Sequence, residues 1–323
     1  MRPSALAARA FDKHSRAITL ALALLLAAWA MPTFNRSRAT YDYLVVFDIT
    51  QSMNVADYEL EGAPASRLAY AREATRRALR DLPCGSRVGW GAFAEYRTLL
   101  LLAPIEVCAH YSDLLASLDR IDGRMRWGEA SEVWKGVLWA IRAAKETRGV
   151  PNVIFLSDGH EAPPLATGAH PQFDDVKPGE VRGWLIGVGG YTPLPIPRTD
   201  DEGRVIGYWR AEDVVQTDAG DGGGASREHL SALRERHLRA LAKEVGFEYA
   251  RLEGPASLSD AMRDPRFARP RSVPIDLYWL PVVVALMLLA LRFRPELRMR
   301  KNGGASLHAR REGGWGAQGI AQR

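Results

Sequence analysis

Cysteine is scarce in this 323-residue chain: Cys84 and Cys108 are the whole supply, too few for a thiolate metal cluster. Also missing are a Gly-x-Ser-x-Gly nucleophile elbow, a His-Glu-x-x-His pair and a Gly-x-x-x-x-Gly-Lys phosphate loop. No internal repeat is evident. Disorder is not the default either, because hydrophobic residues are 47% and charged residues 25%, an ordinary globular balance. Neither of the two apolar runs quite reaches the roughly 20 residues of a full membrane span.

Those runs nevertheless organise the chain. The first, residues 17–34, is uncharged and follows Arg2, Arg9, Lys13 and Arg16. The second, residues 277–291, opens with Tyr278 and Trp279 and is followed by Arg292, Arg294, Arg298, Arg300 and Lys301. Of the formal net charge of +5, residues 1–16 carry +3 and residues 292–323 carry +6, leaving −4 for the middle. Basic flanks stay cytoplasmic, so a membrane protein with an exported middle is expected. The expected layout is a cytoplasmic N-terminus (1–16), a transmembrane helix or signal anchor (17–34), an exported domain (41–263), a second transmembrane helix (275–293) and a basic cytoplasmic tail (294–323). A cleaved signal peptide ending at Ala28-Trp29-Ala30 is the alternative for the first run, and a buried core helix for the second. Nucleic acid is not an expected partner, since the basic groups flank the apolar runs and not the folded part.

The cysteines bracket two strand-like runs, 87–94 and 98–107, joined by a tight turn near Tyr96. Opposed residues in an antiparallel hairpin keep a constant sum of positions, which sets Cys84 across from Cys108. A disulfide is expected, as an oxidising compartment permits; two buried thiols are the alternative.

Residues 43–48 form a short apolar run ending in Asp48, the pattern of a parallel strand buried on both faces. An amphipathic helix follows from Ser66, with Leu68, Ala71, Thr75, Leu79 and Leu82 inward and Arg72, Arg76 and Arg80 outward. Further helices are expected over 112–121, 131–147 and 227–245, and further strands over 152–157, 183–188 and 247–252. This alternation predicts a doubly wound, mostly parallel α/β sheet of Rossmann-like type. An excursion at about 190–225, rich in Pro and Gly, predicts an inserted hairpin and a flexible link. Ligands bind such sheets at the carboxyl ends of the strands, which directs attention to Asp48 and Ser157-Asp158-Gly159.

Asp48-Ile-Thr50-Gln-Ser52 leaves the first strand with a carboxylate and two hydroxyls, and Asp158 brings a second carboxylate to the same edge. These are hard oxygen ligands suited to Mg²⁺ or Ca²⁺. The pattern resembles the metal-ion-dependent adhesion site of von Willebrand factor A (vWA) domains, Asp-x-Ser-x-Ser with a distant Thr and a late Asp. Thr50 stands for the first Ser. Counting back from Gly136-Val137 places Ser131 at the distant Thr, within Gly128-Glu-Ala-Ser131 where the family has Gly-Gly-Thr. The resemblance, over roughly residues 41–263, implies a divalent cation held by Asp48, Thr50, Ser52, Ser131 and Asp158, with an open position for a partner's Asp or Glu. Asp57, Glu59 and Glu61 are expected to be solvated loop acids, and His160 a surface residue.

The segments 48–54, 82–88 and 104–108 further resemble MxaL-type proteins encoded beside bacterial methanol dehydrogenase. That likeness implies a bacterial inner-membrane protein whose exported domain lies in the periplasm, with a role in maturing the periplasmic enzyme, including its calcium insertion. Methanol dehydrogenase, other vWA proteins or a MoxR-type ATPase are then the expected partners. The two-anchor layout, and Pro195-Ile-Pro197 after Gly187-Val-Gly189, also resemble the Bat proteins of aerotolerance operons. Catalysis is not expected: phosphoaspartate hydrolases of similar topology carry a second acid two residues after the first Asp, where this chain has Thr50.

Overall fold

The computed structural model describes residues 13–32, 34–165, 176–216, 227–275 and 277–292. The expected tail at 294–323, most of segment 1–16 and residues 217–225 of the excursion lie outside them. In chain order the elements are α1 (Lys13–Trp29), β1 (Phe34–Thr40), β2 (Asp42–Asp48), β3 (Tyr58–Leu60), β4 (Ala63–Ala65), α2 (Arg67–Asp81), β5 (Arg87–Ala94), β6 (Arg97–Glu106), α3 (Tyr111–Leu118) and α4 (Val133–Glu146). There follow β7 (Asn152–Ser157), β8 (Gly183–Gly187), β9 (Leu194–Pro195), β10 (Pro197–Thr199), β11 (Val205–Tyr208), β12 (Leu230–Ser231), α5 (Glu235–Val245), β13 (Glu248–Arg251), α6 (Pro255–Met262), β14 (Arg269–Ile275) and α7 (Trp279–Arg292).

The chain divides into two units, Asn35–Ile275 and the pair of flanking segments Met1–Phe34 and Asp276–Arg323. The larger unit is built on a six-stranded sheet of order β13-β8-β7-β2-β5-β6, parallel throughout except for the antiparallel pair β5–β6. Strand order reverses between β2 and β7, where a doubly wound sheet opens a crevice at its carboxyl edge. Both of these strands are buried at every position, the signature of a sheet covered on both faces. Alternation along β2 sorts the core into two layers. Val45 and Phe47 pack with Leu68, Ala71 and Leu79 of α2, while Leu44 and Val46 pack with Val137 and Ile141 of α4 and Leu238 and Leu241 of α5.

Local chemistry sets the helix starts. Ser66 caps α2 by accepting from the Ala69 amide at 3.2 Å. The first turn of α4 takes its cap from afar: the Glu161 carboxylate accepts from the Val133 and Trp134 amides at 2.9 and 3.1 Å. The expected helix over 227–245 is corrected. Only Glu235–Val245 is helical, while Leu230–Ser231 pairs with Leu194–Pro195 as a short strand. Apolar spacing in that stretch loses to backbone pairing, which continues from the Leu233 amide to Gly190 and from the Arg234 amide to Asp158.

The hairpin β5–β6 turns at Glu95-Tyr96, and the disulfide Cys84–Cys108 closes its base with Cα atoms 5.3 Å apart. The excursion contains the antiparallel hairpin β10–β11. β1 and β14 pair as a separate two-stranded ribbon, which corrects the expected ends of both apolar spans: Phe34 and Ile275 lie in strands.

In the smaller unit α1 and α7 pack on one another. They bury Ala21, Ala28 and Ala285 and leave Leu22, Leu26, Trp29, Leu286, Met287 and Leu291 exposed. With 17 and 14 residues they are about 25 and 21 Å long at 1.5 Å per residue. Among the described residues no helix is long and apolar enough to cross a membrane.

Candidate metal centre

The carboxyl ends of β2 and β7 bring Asp48 and Asp158 to the switch point, both fully buried. Asp48 Oδ1 accepts from the Thr50 amide at 3.0 Å and from Thr50 Oγ1 at 2.6 Å, and its Oδ2 accepts from Ser157 Oγ at 2.6 Å. Ser52 Oγ lies 3.3 Å from Thr50 Oγ1 and donates to Asp158 Oδ1 at 3.1 Å. Asp48 with Thr50, and Asp158 with Ser52, therefore form two hydrogen-bonded pairs whose hydroxyl oxygens stand side by side. Ser131 reaches them from another direction. Two backbone hydrogen bonds with Ala162, both 2.7 Å, fix its position, and its hydroxyl donates to the His160 carbonyl at 2.8 Å. Thr50, Ser52 and Ser131 line a single cavity of about 290 Å³.

Arg67 was not among the expected residues. Fully buried at the start of α2, it donates from Nη1 to Asp158 Oδ2 at 2.6 Å and to Ser231 Oγ at 2.6 Å. On its other side it pairs with Asp57, with Nη2 2.7 Å from Oδ2. Ser231 Oγ itself donates to Asp158 Oδ2 at 2.7 Å. Asp57 is thus not a solvated loop acid; its carboxylate joins Arg67 to the Gly190 amide at 2.8 Å. Glu59 and Glu61 are exposed, as expected. His160 is corrected too: it is 2% exposed, because the bonds that its carbonyl makes to Ser131 and its amide makes to Asp158 draw the residue inward.

Burial and the neighbouring Asp158 charge push Asp48 up to about 7, against the hydrogen bonds from Ser157 and Thr50. Burial acts the same way on Asp158, but the Arg67 guanidinium and the donors around it prevail and hold that carboxyl below the usual range. Burial lowers His160 and favours its neutral ring.

Among the described residues no three His, Cys, Asp or Glu side chains are grouped to hold a metal. A cation here must therefore draw on hydroxyl oxygens, and the donor set fits one. Thr50 and Ser52 send their protons to carboxylates, which frees lone pairs for the cavity. Asp48, Asp57 and Asp158 against Arg67 leave a buried excess of two negative charges when all are ionised, which a hard divalent cation would offset.

No protein-family model matches the chain, and no curated protein matches it. Among solved structures it is similar to an aerotolerance-related membrane protein from Bacteroides fragilis, at 19% identity and TM-score 0.45, over 69% of this chain and 96% of that one. It is also similar to the ArnB paralog VWA2 from Sulfolobus acidocaldarius, at 15% identity and TM-score 0.37, over 72% and 46%. A von Willebrand factor type A protein from Catenulispora acidiphila is similar at 13% identity and TM-score 0.38, over 72% and 43%. These likenesses are of fold alone. The strand order defines the class, a doubly wound α/β domain with its site at the switch point.

Proposed function

We propose that this protein is a membrane-anchored vWA-type binding module that uses a divalent cation, Mg²⁺ or Ca²⁺, to capture a carboxylate of a partner protein. One observation carries the proposal: the hydrogen-bonded pairs Asp48–Thr50 and Asp158–Ser52 lie beside a cavity that Ser131 also lines. In it the hydroxyls of Thr50, Ser52 and Ser131 would contact the cation, and Asp48 and Asp158 would act mainly through water. The cation would supply a Lewis-acidic position, and a partner's Asp or Glu would complete its coordination shell. The function is binding rather than catalysis, with Thr50 where a phosphoaspartate hydrolase would need its acid.

Anchoring is supported by α1 and α7, which bury alanines against each other and turn leucines outward, the inverse of what water favours. A disulfide suits the periplasm, where the domain is proposed to lie. For the client, the segments around the cysteines favour a periplasmic enzyme under maturation, proposed as methanol dehydrogenase; a role in an aerotolerance complex is the second reading, from the Pro195-Ile-Pro197 segment.

Calorimetric titration of the purified chain with Mg²⁺ and Ca²⁺ tests the site. A single binding event, lost in Asp48→Ala and weakened in Ser131→Ala, is expected; a folded wild-type chain that takes up neither ion overturns the proposal.

A further inference from the structure

The cavity beside the proposed cation site is two-faced. Thr50, Ser52 and Ser131 line one side, and the excursion closes the other with Ile196, Trp209 and Val215. Trp209 of that second wall is held by Gln51, the residue between the two site hydroxyls. Its Oε1 accepts from the Trp209 indole at 3.0 Å and from the Thr199 amide at 3.2 Å, and its Nε2 donates to Glu129. The apolar wall is therefore tied to the loop that would carry the cation. His160 lines the same cavity, and its Nδ1 is buried without a hydrogen-bond partner among the described residues. Val215, 66% exposed, extends the apolar wall to the surface.

We propose that the cavity recognises a two-residue element on the partner: an Asp or Glu that completes the cation's shell, followed by a large apolar side chain that packs against Trp209, Ile196 and Val215. This rests on the cation-site reading and adds the specificity determinant to it. The lining selects the occupant. The cation would take one carboxylate, while the apolar wall of Ile196, Trp209 and Val215 leaves the neighbouring position to an uncharged side chain, with Glu129 and Glu228 already paired with Arg126 and Arg234 and Asp213 disfavouring a second acid. The size agrees, because about 290 Å³ lies at the low end of ligand cavities and suits a pair of side chains better than a cofactor. A segment of a folded partner would present such a pair at low entropic cost.

The test uses the full chain in detergent and fluorescein-labelled, end-blocked tetrapeptides of sequence Gly-Asp-Phe-Gly, Gly-Asp-Ser-Gly and Gly-Asn-Phe-Gly. Anisotropy is read in Mg²⁺ and in EDTA, alongside Mg²⁺ calorimetry. The Asp-Phe peptide should bind about tenfold or more tighter than Asp-Ser, the factor expected from burying one aromatic side chain. EDTA or the Asn-Phe peptide should abolish capture. Val215→Ser at the exposed rim should bring Asp-Phe down towards the level of Asp-Ser while Mg²⁺ binding stays unchanged. Mg²⁺ binding with equal capture of the two Asp peptides, or with no capture, overturns this inference and leaves the cation site standing. Capture that persists in EDTA overturns it as well, revealing a plain apolar groove. Failure of the wild-type chain to bind Mg²⁺ or Ca²⁺ removes the reading beneath it and the inference together.

Discussion

At the scale of single residues, Arg67 is the hinge of the site's electrostatics. It pairs with both Asp158 and Asp57 where little solvent reaches, so its removal leaves both carboxylates buried without their counter-charge. Arg67→Met should cost about 3–5 kcal/mol in denaturant unfolding, the usual result of breaking a buried pair from one side. Asp48 sets a pH dependence of opposite origin. Its carboxyl in the fold titrates near 7, above the ordinary carboxylate range, so the folded domain holds a proton that the unfolded chain has already released. That contribution to stability is complete below about pH 4 and disappears as pH climbs towards 7. A cation competes with the same proton, so Mg²⁺ affinity should rise with pH, by up to about tenfold per unit, and level off above about 7. Calorimetry in buffers of differing ionisation enthalpy would count the displaced proton. Affinity that is flat from pH 5 to 8 would contradict this. That Asp48, Thr50, Ser52, Asp158 and Ser131 come to one edge of the sheet is legible in the sequence because each sits at a strand end or at a fixed offset from a motif. Arg67 was legible only in part: it falls four residues before Ala71 and eight before Thr75, on the inward face of α2. Periodicity reports that face, but not that a charge on it will find two buried carboxylates.

At the scale of elements, the contact of α4 with β5 backs the side of the site where Ser131 lies. Gly136 makes that contact possible, for a methyl there would stand 2.3 Å from the Phe93 ring. Its carbonyl also accepts from Thr98 Oγ1 at 2.8 Å. Gly136→Ala should therefore destabilise the domain by about 1–3 kcal/mol, the cost of overpacking, and should loosen Ser131, which lies five residues before it. The disulfide contributes at the other end of the same hairpin. Its cysteines are 24 positions apart, so Cys84→Ser with Cys108→Ser should lower stability by about 3 kcal/mol on a chain-entropy basis, measured as a shift in denaturant midpoint. The hairpin and its cysteine pairing follow from arithmetic on positions alone. The strand β12 does not. Leu230 and Leu233 carry helical spacing, and only the distant partners Leu194 and Asp158 decide that this stretch is extended. The ribbon β1–β14 escaped for the same reason, since its strands join segments at opposite ends of the domain.

At the scale of the whole molecule, the outward leucines of α1 and α7 argue for a hydrocarbon environment. The full chain should remain in the membrane pellet after alkaline carbonate extraction, and release into the supernatant would overturn the anchoring proposal. The site assembles from far-flung sequence: Arg67 meets Asp158 across 91 positions and Ser231 across 164. Synthesis is vectorial, so Asp48, Thr50 and Ser52 emerge early, but the pair that fixes Asp158 waits for Ser231. A nascent chain that stops short of residue 231 carries the signature residues without the Ser231 contacts to Arg67 and Asp158. Under the proposed function, partner capture would then wait until residue 231 has emerged and folded back onto the site.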